Sequence, residues 1–423
     1  MLIYTTIIWM LAIGGLTWWN EDRGLQLLAI TLPTYLIRLQ VFNIPTTWLE
    51  LAIYTVTAIW LIKLWRRGGT IKWQAIRDYQ WPLGVLIVGL IMGTLVSADP
   101  LGSLGIIKGW FFDPLLLFWL ITNSRQAQSP KIEFNNIVFG LWISGVIVAL
   151  VAVGQVVTGH YITLDQRASA WFSSANYLSL YLVPIMILVL GWWHDIKSGY
   201  RRWVVAGGWL LMLIALYFTY SYAGWLALLI ALAIWFWLTS KYKYWLIGLG
   251  VGFVGLVASQ WQLPKFQQML DLAGQSSSHA RLEVWQTALL MIKEHWWTGI
   301  GLGQFEQRYV EFASRIFHPP VQLVMLHAHN LLLAFWLNAG LLGLLGFFGI
   351  LIIFFTQVIR TWSHRRDPLL TSVGIAMIAI LAHGLLDTPY WKNDLAAVFW
   401  IVVALGELLS RETHGRENLS DRH

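Results

Sequence analysis

The sequence predicts an all-α polytopic membrane protein with about 12 to 13 transmembrane helices. Of its 423 residues, 57% are hydrophobic and only 12% are charged, which is unlike a soluble domain. Apolar runs near the ~20 residues that a bilayer requires recur from end to end. Runs such as VLIVGLIMGTLV are apolar on all faces, whereas strands of a membrane barrel alternate over about 10 residues.

The apolar runs also predict the topology. The first run lacks a basic start and a small-residue cleavage site, so we interpret it as a retained helix. Basic residues concentrate in alternate loops and in the tail after Arg411, and positive loops mark the cytoplasmic side. The net charge of +7 therefore results from basic residues in the cytoplasmic loops and does not indicate a nucleic-acid partner. The predicted spans are 2–18, 24–41, 47–63, 82–97, 102–122, 136–156, 174–193, 203–219, 222–239, 244–261, 330–358, 368–387 and 395–410.

This topology divides the chain into four parts. Residues 1–261 form an N-terminal transmembrane bundle, 262–329 a large extracytoplasmic loop, 330–410 the C-terminal transmembrane helices and 411–423 a cytoplasmic tail. Loops longer than about 15 residues are usually functional or disordered, and this one is neither charge-rich nor of low complexity. We therefore expect this loop to be functional and not disordered.

The large loop contains one predicted helix and one predicted turn. In RLEVWQTALLMIKE, the apolar residues Trp285, Ala288, Leu289 and Ile292 recur at helical spacing, which predicts a short amphipathic helix on the outer membrane surface. The glycines of TGIGLGQF lack the preceding strand and the downstream acidic residue of a dinucleotide-binding motif. They predict a tight turn that re-enters the bundle.

Two arginines on the outer side are candidate anion ligands, because a guanidinium group binds phosphate bidentately. Arg167 precedes a span, where the alternative is an interfacial arginine that only reaches the headgroups. Arg281 opens the loop helix, where a cation is unfavourable unless an anion is bound, although Glu283 is nearby. Asn176 begins the next helix and is a candidate cap or hydroxyl ligand.

The stretch MLHAHNLLLAFW places His327, His329 and Asn330 at the start of an apolar run, where polar groups are costly. Three interpretations stay open at this point. A metal site would need a third ligand, and His318 or Glu311 lies at no familiar spacing. Asn330 suits a helix cap, and a histidine suits a general base because it titrates near neutrality. No thiolate site or disulfide exists, because the chain has no cysteine.

Other polar groups gather on the same predicted side. Asp387 lies at the outward end of a predicted span, and His383 precedes it by four residues. An ionisable pair in a membrane helix is a functional candidate by default, and the alternative is that the two side chains only compensate each other's charge. Arg38 and Lys108 are predicted in the outer halves of their spans. Cations on this side run against the positive-inside trend, so an anionic ligand is expected there.

These features resemble one known family. The segments RLEVWQTALLMIKEHWWTGIGLGQF and HAHNLLLAFWLNAGLLGLL, with ASAWFSSANYLSLYL before them, resemble the O-antigen ligase and O-antigen polymerase-like family of bacterial membrane glycosyltransferases, over residues 160–395. The resemblance implies a GT-C-like fold in the bacterial cytoplasmic (inner) membrane, with an active site facing outward. It implies metal-independent, inverting glycan transfer, without a cofactor, from undecaprenyl pyrophosphate to an acceptor hydroxyl on a glycan, a lipid or a protein.

The resemblance also implies roles for single residues. Arg167 and Arg281 would clamp the pyrophosphate, His329 would be the catalytic histidine, and Asn330 would hold it or orient a sugar. Family members often have Ser-Arg where this chain has Ser221 and Tyr222, so a clamp of three arginines would be incomplete here, and Lys108 and Arg38 are candidate substitutes for the missing cation. Family members also commonly have Pro after the residue that corresponds to His295, and here Trp296 follows.

Two other function classes remain open from the sequence. Some relatives are labelled bicarbonate transporters, but a transporter of small anions should place its polar groups near the bilayer midplane. Here they lie toward one face. A non-catalytic scaffold of a polysaccharide assembly complex is the second alternative, and the missing arginine keeps it open.

Overall fold

Helices form nearly all of the secondary structure, as the sequence predicts. The structure, a computed structural model, describes residues 2–41, 44–124, 129–241, 243–262, 266–267, 277–320 and 323–420. Its helices are α1 (Leu2–Trp19), α2 (Glu21–Ile30), α3 (Trp48–Arg66), α4 (Gln74–Asp78), α5 (Gln80–Val96), α6 (Pro100–Ile107), α7 (Asp113–Asn123), α8 (Pro130–Thr158), α9 (Ala175–Asp195), α10 (Gly199–Phe218), α11 (Tyr222–Thr239), α12 (Tyr244–Gln260), α13 (Ser277–Glu294), α14 (Phe305–Ala313), α15 (Leu331–His364), α16 (Pro368–Gly384) and α17 (Asn393–Ser420).

The chain is a multi-pass membrane protein. Within the described residues, eight helices are long and apolar enough to span a membrane, and four shorter apolar helices accompany them. Seven of the long ones are α3, α8, α9, α10, α11, α15 and α17. The eighth is the continuous helical segment Pro100–Asn123, in which a π-helix, Lys108–Phe112, joins α6 to α7. The shorter ones are α1, α5, α12 and α16. Helices α9 and α17 are the most enclosed, and this explains why they are apolar on all sides.

The predicted span at 24–41 is wrong as a continuous helix. Helix α2 ends at Ile30, and a 3-10 helix, Leu32–Leu36, follows it. Pro33 has no amide hydrogen to donate, which favours a break there. Next comes a hairpin of two antiparallel strands, β1 (Arg38–Val41) and β2 (Ile44–Thr47), so Arg38 lies on a strand and not in a helix.

The basic loops meet at one end of the bundle, which we call the basic face. Ion pairs connect loops that are far apart in the sequence: Arg67 with Glu21, Lys131 with Asp367, and Arg411 with Asp78. These contacts agree with the predicted alternation of the spans. Arg125, a basic residue between the predicted spans 102–122 and 136–156, lies outside the described residues. We call the opposite end the site face.

The ends of the large loop lie close to the predicted boundaries, 262 and 329. The division of the chain into four parts stays a prediction. Helix α12 ends at Gln260 and α15 begins at Leu331, while residues 263–265, 268–276 and 321–322 of the loop lie outside the described residues. The last helix runs to Ser420, past the predicted start of the tail at 411, and residues 421–423 lie outside the described residues.

The glycine turn of the loop is inserted into the bundle, as predicted. The amide of Ile300 donates to Leu337 O at 2.8 Å, that of Leu302 to Gly93 O at 2.9 Å, and that of Gly303 to Asn338 Oδ1 at 2.7 Å. Helix α15 is kinked beside the turn, and its Leu341 amide donates to Trp297 O at 3.1 Å. Backbone groups freed at the kink are thereby satisfied, which an apolar environment requires.

The kink depends on glycine at position 340. Gly340 has φ +65° and ψ −169°, a backbone conformation that is essentially restricted to glycine and costs other residues about 1–3 kcal/mol. A Cβ atom there would also approach Trp297 O, a backbone atom, far more closely than van der Waals contact allows.

We therefore expect Gly340→Ala to lower the thermal unfolding midpoint in detergent. Gly255→Ala is the control, because a Cβ atom at Gly255 meets nothing within 4 Å. Equal midpoints for the two variants would contradict this account.

Candidate functional site

A cavity of about 650 Å³ opens at the site face, between the bundle and the large loop. The polar side chains that line it include Arg167, Asn176, Arg281 and His329, which come from four separate parts of the sequence. Helices α11 and α12 provide apolar walls, among them Leu226, Phe253 and Leu256. The structure therefore brings together four of the predicted site residues.

Arg167 is fixed by three neighbours. Its Nε donates to Thr219 O at 2.6 Å, its Nη2 donates to Asn176 Oδ1 at 2.8 Å, and its Nη1 lies 3.3 Å from Asp165 Oδ2. Burial lowers the pKa of the Arg167 guanidinium below its ordinary value, but arginine remains charged in proteins. The contacts hold a cation in a defined orientation at the cavity wall, unlike a freely mobile interfacial arginine.

Asn176 connects this cation to a buried carboxylate. While its Oδ1 accepts from Arg167, its Nδ2 donates to Asp387 Oδ2 at 3.1 Å. The predicted capping role is wrong, because the N-cap of α9 is Ser174, whose side chain accepts from the Asn176 amide. Asn176 is thus free to use its side chain in the site.

Asp387 pairs with His329. The carboxylate is 3% exposed, and its Oδ1 lies 3.2 Å from His329 Nδ1 and accepts from the Thr388 amide at 2.9 Å. Burial alone raises the pKa of Asp387, but its interactions with His329, which include a hydrogen bond, and with His383 and Arg281 lower it more, so the net pKa lies below its ordinary range. Asp387 follows the end of α16 at Gly384, and its hydrogen-bonded partner is His329, whereas the sequence pointed to His383.

The pairing determines which nitrogen of His329 can act as a base. An ionised carboxylate only accepts, so Nδ1 of the neutral imidazole carries the hydrogen. The lone pair is then on Nε2, and the ring lines the cavity with 27% of the side chain exposed. This is the arrangement in which a histidine accepts a proton while a carboxylate stabilises the resulting cation.

The backbone at His329 is held in a strained conformation. Its φ is +46°, which is uncommon for a residue with a side chain, and Trp285 Nε1 donates to its carbonyl at 3.3 Å. Tyr220, which also lines the cavity, has φ +48°. Strained residues cluster where surrounding structure enforces a functional geometry. Asn330 is a helix cap as predicted, since its Oδ1 accepts from the Leu332 and Leu333 amides.

Arg281 faces the cavity without an ion-pair partner among the residues that the structure describes. Its Nε is buried and makes no hydrogen bond there. Because α13 begins at Ser277, Arg281 lies in its second turn, and the predicted placement at the helix start is wrong. The predicted apolar stripe also needs correction, since Leu289 is exposed while Val284, Ala288, Met291 and Ile292 are buried.

Around the dyad of His329 and Asp387 lie groups that do not line the cavity. His327 Nε2 lies 2.9 Å from Tyr177 Oη, and burial lowers the pKa of His327 to about 4, so it is neutral at physiological pH. The sequence interpretation missed Lys392, whose Nζ lies 3.2 Å from the centre of the Tyr177 ring. Burial lowers the pKa of Lys392 to about 8. The only sequence signal for Lys392 was that it is a basic residue in TPYWKND, a loop on the predicted outer side.

Two proposed substitutes for the missing arginine do not line the cavity. Lys108 forms an ion pair with Glu50 at 2.7 Å and donates to Pro45 O, which holds it at the hairpin. Arg38 lies on that hairpin. At the position of the expected arginine, Tyr222 lines the cavity instead. No group of three or more metal-ligating side chains occurs in the described part of the chain.

Comparison with known protein families found a match in the later half of the chain. The sequence model of the family described as O-Antigen ligase matches residues 207–348. The match includes Tyr222, Arg281, His327, His329 and Asn330, and it is shorter than the resembling segment at 160–395. Comparison with curated protein sequences found no match.

The two arginines predict binding of a multiply charged anion. A hydrogen bond to a charged group contributes about 1.5–3 kcal/mol, so we expect Arg167→Ala and Arg281→Ala each to weaken binding of inorganic pyrophosphate by about tenfold to a hundredfold. Isothermal titration calorimetry in detergent measures this.

The control for that measurement is Arg315→Ala. Arg315 is in the same loop as Arg281, but it is exposed and pairs with Glu294 and Glu311 outside the cavity. Its replacement should leave pyrophosphate affinity unchanged. A similar loss in all three variants would mean that binding reflects general surface charge and not this cavity.

Proposed function

We propose that this protein transfers a glycan from undecaprenyl pyrophosphate to an acceptor hydroxyl, because residues 207–348 match the O-antigen ligase family model. Family membership suggests transfer of lipid-linked glycans. The observation that carries the finer proposal is that a carboxylate-paired histidine, His329, lines the same cavity as Arg167 and Arg281.

In this proposal the arginines bind the pyrophosphate of the donor. Arg281 has no anionic partner in the described residues, and Arg167 has only the half-exposed Asp165 within 4 Å. Two cations that face one cavity repel each other, and a pyrophosphate between them removes that repulsion. As the glycosidic bond breaks, negative charge grows on the pyrophosphate, and prearranged cations in a poorly hydrated site stabilise that charge. The step then needs no metal ion.

His329 is the general base in the same step. The acceptor oxygen forms a bond to the anomeric carbon while the bond from that carbon to the pyrophosphate oxygen breaks. The proton of the acceptor passes to Nε2 of His329, and the electron pair leaves with the lipid pyrophosphate. Attack opposite to the leaving group inverts the anomeric configuration. Asp387 stabilises the imidazolium that forms, which is the role of a paired carboxylate.

The large loop protects the donor from water. Helix α13 covers the cavity with Ala280, Arg281, Leu282 and Trp285, and its buried side packs against α14 and α15. Exclusion of water prevents hydrolysis of the activated donor and strengthens the electrostatic interactions within the site. The donor is already activated, so the reaction needs no nucleotide.

The proposal assigns the site face to the outside of the bacterial cytoplasmic membrane. The opposite face holds the paired basic loops, and positive loops remain in the cytoplasm. The acceptor is a hydroxyl of a glycan, a lipid or a protein that reaches this side. The partners are therefore the lipid-linked donor, this acceptor and the bilayer.

Transfer by purified protein tests the proposal. With a lipid-pyrophosphate glycan and an acceptor, we expect elongated glycan and free lipid pyrophosphate in equal amounts. His329→Ala should lower kcat by about 10²–10⁴-fold, the usual contribution of a general base. His160→Ala is the control, because His160 is exposed in a loop of the site face and does not line the cavity. Full turnover by His329→Ala would refute the assignment of the base.

The role of Asp387 has its own test. Asp387→Asn keeps the size of the side chain but removes the charge that stabilises protonated His329, so kcat should fall by at least about tenfold while donor KM changes little. If KM rises and kcat is unchanged, Asp387 positions the donor cations instead.

A further inference from the structure

The loop before α17 holds a lysine that the proposed transfer step does not use. Lys392 is half-buried, and its Nζ lies 3.2 Å from the centre of the Tyr177 ring. The only hydrogen bond that this nitrogen makes to a described residue is to Ser173 Oγ, at 3.4 Å, which is long. An ammonium group can donate three hydrogen bonds, so Lys392 retains donors for a ligand.

The charge of Lys392 is not compensated in the way that the charge of Lys108 is. Lys108 pairs with Glu50 at 2.7 Å, whereas Lys392 has no ion-pair partner among the described residues. The buried carboxylate of Asp394 attracts Lys392 from farther away. Burial of Lys392 and repulsion by Arg38 outweigh that attraction and lower the pKa of Lys392 to about 8.

Arg38 is the second cation at this place on the site face. It is exposed on β1 and also has no ion-pair partner in the part of the chain that the structure describes. Two positive charges that act on each other without a nearby anion raise the free energy of the protein. A negative group bound beside Lys392 and Arg38 would therefore stabilise both.

The two cations lie beside the dyad but outside the site cavity. Tyr177, whose ring contacts Lys392, has its Oη 2.9 Å from His327 Nε2, and His327 is two residues before His329. Neither cation lines the cavity that holds the two arginines assigned to the donor. A ligand of Lys392 would therefore be a different group from the donor pyrophosphate.

The backbone at Lys392 is held on both sides. Its amide donates to Tyr390 O at 2.8 Å, and its carbonyl accepts from the Ala396 amide at 2.9 Å. The side chain of the next residue, Asn393, donates to Glu50 Oε1 at 3.2 Å. The ammonium group therefore extends from a fixed backbone, which lowers the entropic cost of binding a ligand there.

We propose that Lys392, assisted by Arg38, binds an anionic group of a glycan acceptor, a carboxylate or a phosphate, while the reacting hydroxyl of the same acceptor lies at His329. This inference rests on the proposed function, in which the acceptor attacks from the side opposite to the leaving pyrophosphate. Cations beside the dyad and outside the donor cavity suit a charge carried by the acceptor. The site then prefers acidic glycans to neutral ones.

Binding of an oligogalacturonate tests the proposal, with its methyl ester as the uncharged probe. Isothermal titration calorimetry in detergent, with inorganic pyrophosphate present to fill the site cavity, measures both affinities. The wild type should bind the acid at least about tenfold more tightly than the ester. Lys392→Met keeps an unbranched side chain without the charge and should remove this preference, whereas Lys392→Arg should retain it.

The control variant is Lys293→Met, because Lys293 is an exposed lysine in the last turn of α13 and does not line the site cavity. It should keep the preference of the wild type. The same comparison with a phosphorylated oligomannoside and its dephosphorylated form shows which of the two anions binds more tightly.

The pH dependence separates a bound charge from a structural role of Lys392. The charged and titratable groups that act on its ammonium, or on which it acts, are Arg38, Tyr177, His327, Asp387 and Asp394. Because the pKa of Lys392 is about 8, its charge is lost as the pH rises through that value, and the preference for the acid should decline. Lys392→Arg should keep its preference over the same range, because arginine remains charged.

Three results would overturn the proposal: no binding of either acidic probe, equal affinity of the wild type for acidic and neutral probes, or an equal loss in Lys392→Met and Lys293→Met. None of these measurements requires glycan transfer, so they are independent of whether the proposed function is correct. In a transfer assay, Lys392→Met should raise KM for an acidic acceptor and leave kcat and the donor KM unchanged. An unchanged acceptor KM would also contradict the proposal.

Discussion

The carboxylate of Asp387 is almost completely buried, and the geometry of the site follows from the need to compensate it. A buried charge is costly unless it is paired and hydrogen-bonded. His329, Asn176 and the Thr388 amide supply those bonds, and Asn176 in turn accepts from Arg167. One anion therefore connects two loops to the start of α9. It orients a cation and a histidine toward the same cavity, although 162 positions separate Arg167 from His329 in the sequence.

That arrangement requires the large loop to be anchored at a fixed height in the bundle. The glycine turn supplies the anchor, because its amides bond to backbone and side-chain oxygens of α5 and α15 at a kink. Helix α13, just before the turn, presents Arg281 to the cavity, and His329 lies just before α15. The irregular backbone is tolerated inside the membrane because protein groups satisfy it.

The hydrophobic runs of the sequence, and the few polar residues within or beside them, predicted much of this structure. The length of the apolar runs identified the chain as a membrane protein. The glycine turn, the presence of a helix in the large loop and the Asn330 cap are as predicted, but the start and the apolar stripe of that helix are not. Pro33 in the second apolar run was the signal for the broken crossing there, but an apolar run alone does not distinguish a helix from a 3-10 turn followed by a hairpin. The pairing of Asp387 with His329 could not be predicted, because periodicity does not report which distant side chains meet. For the same reason the sequence missed Lys392.

The proposed donor is amphiphilic, and its charged part is assigned to the site cavity. The central claim is that the pyrophosphate of the donor lies between Arg167 and Arg281 beside His329. The most direct measurement is a cryo-EM structure of the His329→Ala variant, which should retain its donor, with lipid-pyrophosphate glycan bound. The account predicts pyrophosphate density in contact with both guanidinium groups and the first sugar next to position 329. Donor density elsewhere, with the two arginines unoccupied, would contradict it.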